Sequence, residues 1–130
     1  MLLQDQIVFV TGSSRGIGRA IALEAAREGA DVIVHYRASS MQADEVVAAI
    51  HSMGRQAVAL KADWGNPDDV CRAAQDAWNA FGRIDVLVNN AGISIKNHIL
   101  DVGLNERINQ SRINRRAACL QTIDNAIALK

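Results

Sequence analysis

The apolar positions of the chain change period several times, and each change marks an element. Ile7-Val8-Phe9-Val10 is an unbroken apolar run, so Gln6 to Thr11 is predicted as a first, buried strand. From Gly16 to Glu28 the apolar residues recur at helical spacing, and Gly29 closes that segment as a C-terminal stop. Asp31 to Tyr36 predicts a second strand. Val46, Val47, Ile50 and Met53 share one face of a helix predicted from about Met41 to Met53, with Gly54 ending it. Gln56 to Ala62 alternates more strongly and predicts a third strand. Asn66-Pro67-Asp68-Asp69 is a helix start: a capping asparagine, a proline in the first turn and acids at the positive end of the dipole. Val70, Ala74, Trp78 and Phe81 form its apolar stripe, and Gly82 its end. Ile84 to Val88 predicts a fourth, largely apolar strand that runs into Asn89-Asn90-Ala91-Gly92.

Four alternations of near-continuous apolar strands with helices predict an α/β fold. The expected architecture is a Rossmann-like, doubly wound parallel sheet of about four strands, truncated, with helices on both faces. Such sheets bind ligands at the carboxyl ends of their strands. Residues 1–92 are expected to form a dinucleotide-binding Rossmann half. Residues 93–130 are expected to form a polar, helical tail of the same domain. Repeats, low-complexity tracts and interdomain linkers are absent from the pattern.

Composition narrows the function classes. At 130 residues the chain is sized for one domain, and 49% hydrophobic with 22% charged residues fits a soluble globular protein. Fourteen basic and fourteen acidic side chains cancel, so no footprint for nucleic acid or an anionic membrane is expected. No apolar run approaches the roughly 18–20 residues that span a bilayer. Met1 to Gln6 carries no basic residue and no signal-peptide pattern. Cys71 and Cys119 are single and far apart, which points to reduced thiols and a cytoplasmic setting. His35, His51 and His98 lack metal-ligand spacing, so no metal is expected and packing or surface roles are assigned to them.

The chemistry is concentrated in Thr11-Gly12-Ser13-Ser14-Arg15-Gly16-Ile17-Gly18, between the first strand and the first helix. Glycines there let the backbone approach a pyrophosphate, and the unpaired amides and positive dipole end of the helix favour its charge. With Asn89-Asn90-Ala91-Gly92 at the end of the fourth strand as well, the chain resembles the short-chain dehydrogenases/reductases. Within them it looks most like 3-oxoacyl-carrier-protein reductase-type members. The resemblance is strong from Gln6 to about Gly92 and weak beyond.

The resemblance implies a role for each matching residue. Gly12, Gly16 and Gly18 would form the dinucleotide turn, with the Ile17 backbone at the pyrophosphate and Ser14 and Arg15 near the adenosine ribose. Asp63 would accept from the adenine amino group. Trp64, where the family often has a small aliphatic residue, would offer its backbone amide. Asn90, Ala91 and Gly92 would line the ribose side and brace the sheet. The second strand ends His35-Tyr36-Arg37 with no acid to accept from a ribose 2′-hydroxyl. Arg37 and Arg15 together suit a 2′-phosphate, which favours NADP over NAD. The alternative for Arg37 is a solvated loop residue.

The family's chemistry also needs a Ser, a Tyr-x-x-x-Lys pair and a supporting Asn. The one tyrosine here is Tyr36, and Ser40 rather than a lysine follows it by four positions. Tyr36 would lie at the adenosine end, in a structural or cofactor-edge role. Asn114 either matches the supporting helix asparagine or is one of several asparagines in a polar tail. The chain is therefore expected to lack the catalytic Ser, Tyr and Lys. The strand at 84–88 is expected to be an edge in need of cover from the last segment, a homo-oligomer or a complementing chain.

Three readings follow: an NADP-dependent carbonyl/alcohol oxidoreductase represented by its N-terminal half and inactive alone, a non-catalytic NADP(H)-binding module or subunit completed by another chain, or a decayed or frameshifted gene product. The expected partner is a dinucleotide cofactor, and the substrate is not readable.

Overall fold

The structure, a computed structural model, describes residues 1–92. The expected tail 93–130, and Asn114 within it, lie outside the described residues. The elements are β1 (Ile7–Val10), α1 (Gly16–Arg27), β2 (Asp31–Tyr36), α2 (Ser40–Ser52), β3 (Ala57–Lys61), α3 (Pro67–Phe81) and β4 (Val86–Val88). All four strands are parallel, in the order β3-β2-β1-β4. The chain thus winds outward from β1 to β3 and then crosses back to place β4 on the other side of β1. That reversal opens a crevice beyond the carboxyl ends of β1 and β4.

Alternation along each strand feeds two separate cores. Ile7, Phe9, Ile33 and Leu60 point to one face, where Val70, Ala73, Ala74 and Ala77 of α3 cover them. Val8, Val10, Val32 and Val34 point to the other, against Ala22, Ala25 and Ala26 of α1 and Ala43, Val46 and Ile50 of α2. A strand buried on both sides has no room for polar alternation, which is why β1 and β2 read as continuous apolar runs. Small alanines on the helices let them sit close to the sheet. The doubly wound sheet expected from the pattern is the one observed.

Local signals explain where the elements stop. The Asn66 side chain accepts from the Asp68 amide at 3.0 Å, Pro67 opens α3, and Gly82 ends it at φ +73°. The fourth strand differs from expectation: it begins at Val86 rather than Ile84, and its residues are half-buried. The Asp85 carboxylate is the physical reason for the shorter strand. It accepts from the Ile7 amide at 2.8 Å, where a strand carbonyl would otherwise pair. Among the described residues β4 pairs only with β1. No described helix is long and apolar enough to cross a membrane.

Candidate functional site

The site begins where β1 ends. Gly12 turns the chain at φ +64° and Gly16 at φ +59°, in the left-handed region that side chains disfavour. Gly18 serves a different purpose. A Cβ there would fall on the Gly12 carbonyl oxygen and lie 2.6 Å from Asn90 Nδ2, so only a hydrogen lets α1 start this close to the turn. At Gly16 a Cβ would meet no protein atom, leaving space in front of the turn. Arg15 caps α1 with extended backbone and no side-chain hydrogen bond. The amides of the first helical turn therefore keep their donors and the positive dipole end for an incoming anion.

The turn is held from both sides. On the β4 side, Asn90 Nδ2 donates to the carbonyl oxygens of Thr11 and Gly12, both at 3.1 Å. Thr11 Oγ1 accepts from the amides of Asn90 and Ala91 at 3.0 and 2.9 Å. On the β2 side, the Gly12 amide donates to His35 Nδ1 at 2.8 Å, and the Ser13 amide donates to the His35 carbonyl oxygen at 2.9 Å. Ser13 Oγ accepts from the His35 amide and donates to the Val10 carbonyl. Nε2 of His35 donates to the Ala62 carbonyl oxygen at 2.9 Å. Because a carbonyl can only accept, the ring is the Nε2–H tautomer and neutral. Burial, partly offset by the bond to Ala62, lowers its pKa from the usual histidine value.

These contacts enclose a cavity of about 310 Å³ beyond the carboxyl ends of the strands. Of the residues singled out by sequence, Gly12, Ser14, Arg15, Arg37, Asp63, Trp64, Asn90, Ala91 and Gly92 line it together, with Tyr36 and His35. Gly16, Ile17 and Gly18 do not line it; they form the adjacent helix start, with Ile17 75% exposed and Gly18 buried. Neither Arg15 nor Arg37 has a side-chain hydrogen bond or ion pair among the described residues, whereas Arg27, Arg55, Arg72 and Arg83 are all paired. Two unneutralised guanidinium groups thus share one cavity.

On the β3 side, Asp63 Oδ1 accepts from the Gly65 amide at 2.8 Å, and the Asp63 amide donates to Asp69. That amide, with Arg72 beside it, holds the Asp69 carboxyl below the usual carboxylate range. Trp64 is buried and stacks on His35, with ring centroids 4.3 Å apart and planes at 25°. Its indole N–H is buried with no acceptor among the described residues. The sequence assigned His35 only packing or surface duty; the structure makes it the hub between the glycine turn, β2 and the loop after β3. A polar residue between the apolar run of β2 and its end is the signal that could have pointed to it. No group of three potential metal ligands occurs among the described residues.

A family model described as short chain dehydrogenase matches residues 6–123. Versicolorin reductase 1 of Dothistroma septosporum is 40% identical over 114 residues, which cover 88% of this chain and 43% of that protein. The 3-oxoacyl-[acyl-carrier-protein] reductase of Synechocystis is 49% identical over 92 residues, covering 71% of this chain and 37% of that protein. Among solved structures, a short chain dehydrogenase from Burkholderia cenocepacia in complex with NADP superposes with a TM-score of 0.88 at 40% identity, covering 97% of this chain and 51% of the other. The chain spans less than half the length of these curated relatives.

Proposed function

The chain belongs to the short-chain dehydrogenase family, and on that premise we propose that it is the NADP(H)-binding half of a carbonyl/alcohol oxidoreductase. The carrying observation is the pair of unpartnered guanidinium groups, Arg15 and Arg37, on the cavity that also meets the open amides of α1. The turn suits a pyrophosphate because the amides are unpaired and the space before Gly16 is empty. Arg15 and Arg37 suit the 2′-phosphate through charge-assisted hydrogen bonds, and β2 ends without the carboxylate that would select a free ribose hydroxyl. Asp63 and the backbone of Trp64 border the end of the cavity where an adenine fits. The Burkholderia structure, solved in complex with NADP, supports the same cofactor.

When bound, the nicotinamide would supply or accept a hydride. This chain's own residues bind the other end: they hold phosphates, orient the adenosine and present Asn90, Ala91 and Gly92 toward the ribose side. The only tyrosine, Tyr36, lines the adenosine-side cavity, and Ser40 stands where a lysine partner would be needed. No residue of residues 1–92 is therefore assigned to proton transfer. Asn114 remains the candidate supporting asparagine. The readings as a module or as a subunit completed by a second chain share this binding chemistry.

Isothermal titration of NADPH into the folded 130-residue polypeptide tests the proposal, alongside a search for NADPH oxidation with carbonyl compounds. Saturable binding without turnover is the expected result. Absence of binding in a sample shown to be folded would remove the cofactor assignment, and turnover would remove the statement about proton transfer.

A further inference from the structure

We propose that His35 is a positioning residue for the cofactor turn, which it holds only as a neutral imidazole, so that NADP(H) affinity falls when the ring takes up a second proton. The inference rests on the cofactor reading above. Its basis is geometric. Gly12 donates into Nδ1 across 2.8 Å, and Ala62 accepts from Nε2 across 2.9 Å, so one ring fastens the first glycine of the turn to the end of β3. Both contacts are to backbone, and both nitrogens are used. A second proton on Nδ1 would set N–H against N–H, break the Gly12 bond and release the turn from β2. Trp64, stacked on the ring at 4.3 Å, keeps the imidazole from rotating out and buries it. Desolvation by that burial lowers the ring's pKa from the usual histidine value, so the effect belongs to solution more acidic than that value.

Other charged groups lie near the ring without bonding to it. Arg15 comes from the turn, and Tyr36 and Arg37 follow on from β2. Asp63 follows β3, Lys61 is paired in register with Tyr36, and α3 brings Asp69 and Arg72. The cofactor's own 2′-phosphate also titrates, near pH 6. A non-titrating variant separates His35 from all of these, because they are common to both proteins.

The test compares the ratio of NADPH dissociation constants at the lowest pH at which the parent stays folded and at pH 8 within each of three proteins: the parent, His35→Asn and His35→Leu. Asparagine retains an acceptor near the Nδ1 position but cannot take up a proton; leucine fills the space and offers no acceptor. The parent ratio is expected to exceed the His35→Asn ratio by about three- to tenfold, the loss of one hydrogen bond. His35→Leu is expected to bind more weakly than His35→Asn at pH 8. Should leucine prevent folding, a second readout needs no cofactor. In a Trp78→Phe background the emission of Trp64 reports its stacked neighbour, because a protonated imidazole quenches an indole. Emission is expected to fall in acid in the parent and to stay level in His35→Asn. Equal pH ratios for parent and His35→Asn, or an emission step that survives the asparagine, overturn the inference while leaving NADP binding intact. A folded parent that binds no NADPH at either pH overturns the cofactor reading and this inference with it.

Discussion

The side-chain amide of Asn90 spans the gap between β4 and the glycine turn, donating to the carbonyl oxygen of Gly12 at 3.1 Å. The same nitrogen donates to the Thr11 carbonyl, so a single side chain satisfies two acceptors at the point where the sheet reverses its winding. Removing it in Asn90→Ala leaves both carbonyls without that donor in a half-buried setting, at a cost of about 1–3 kcal/mol. In urea denaturation the midpoint is expected to fall with the slope unchanged. Asn90→Asp is expected to be worse than alanine, because it turns a donor into an acceptor facing two acceptors.

The glycines of the turn separate by what surrounds them. In Gly18→Ala the new methyl meets the Gly12 carbonyl oxygen and Asn90 Nδ2, so the cofactor-free chain is expected to lose about 1–3 kcal/mol of stability. In Gly16→Ala it meets no protein atom, and the stability cost is the backbone strain of φ +59°, about 1–2 kcal/mol. Its larger effect is expected on NADPH affinity, because the methyl enters the space before the helix amides. Thermal melts with and without NADPH distinguish the two: Gly18→Ala shifts both curves together, and Gly16→Ala chiefly abolishes the stabilisation by NADPH.

On the proposed reading, Arg37 sets the cofactor preference. Arg37→Asp is expected to weaken NADPH by tenfold or more, since a charge-assisted hydrogen bond to a phosphate is replaced by repulsion. NADH, which lacks that phosphate, is expected to gain or hold. An unchanged NADPH-to-NADH ratio in paired titrations would assign Arg37 to solvent.

Stability should also depend on pH through His35. Its folded-state pKa lies below the ordinary 6.5, so above that value both folded and unfolded rings are neutral and its contribution is constant. As pH falls below 6.5 the unfolded chain binds the proton first and stability declines, levelling off once the folded ring is also protonated. Denaturation midpoints between pH 8 and pH 5 measure this, and His35→Asn is expected to flatten the decline.

Much of this was legible in the sequence, for local reasons. The limits of α3 follow from Asn66, Pro67 and Gly82, each acting within a turn of its own position. The near-continuous apolar β1 and β2 announced a sheet covered on both faces. What escaped were relationships that depend on backbone atoms brought together from afar. His35 bonds to Gly12 and Ala62, 23 and 27 residues away, through a bare amide and a bare carbonyl that no residue type signals. The start of β4 was misplaced for a similar reason: the Asp85 carboxylate takes the Ile7 amide 78 residues away. The Trp64 side chain was likewise expected to be incidental to its backbone amide, and its stack on His35 appears only once β2 and β3 are paired.

The central claim, that this chain carries an NADP-preferring dinucleotide site, is tested most directly by titrating NADPH and NADH side by side into the folded 130-residue polypeptide. The account predicts saturable binding of both, with NADPH at least tenfold tighter through Arg15 and Arg37. Equal affinities, or tighter binding of NADH, would contradict it.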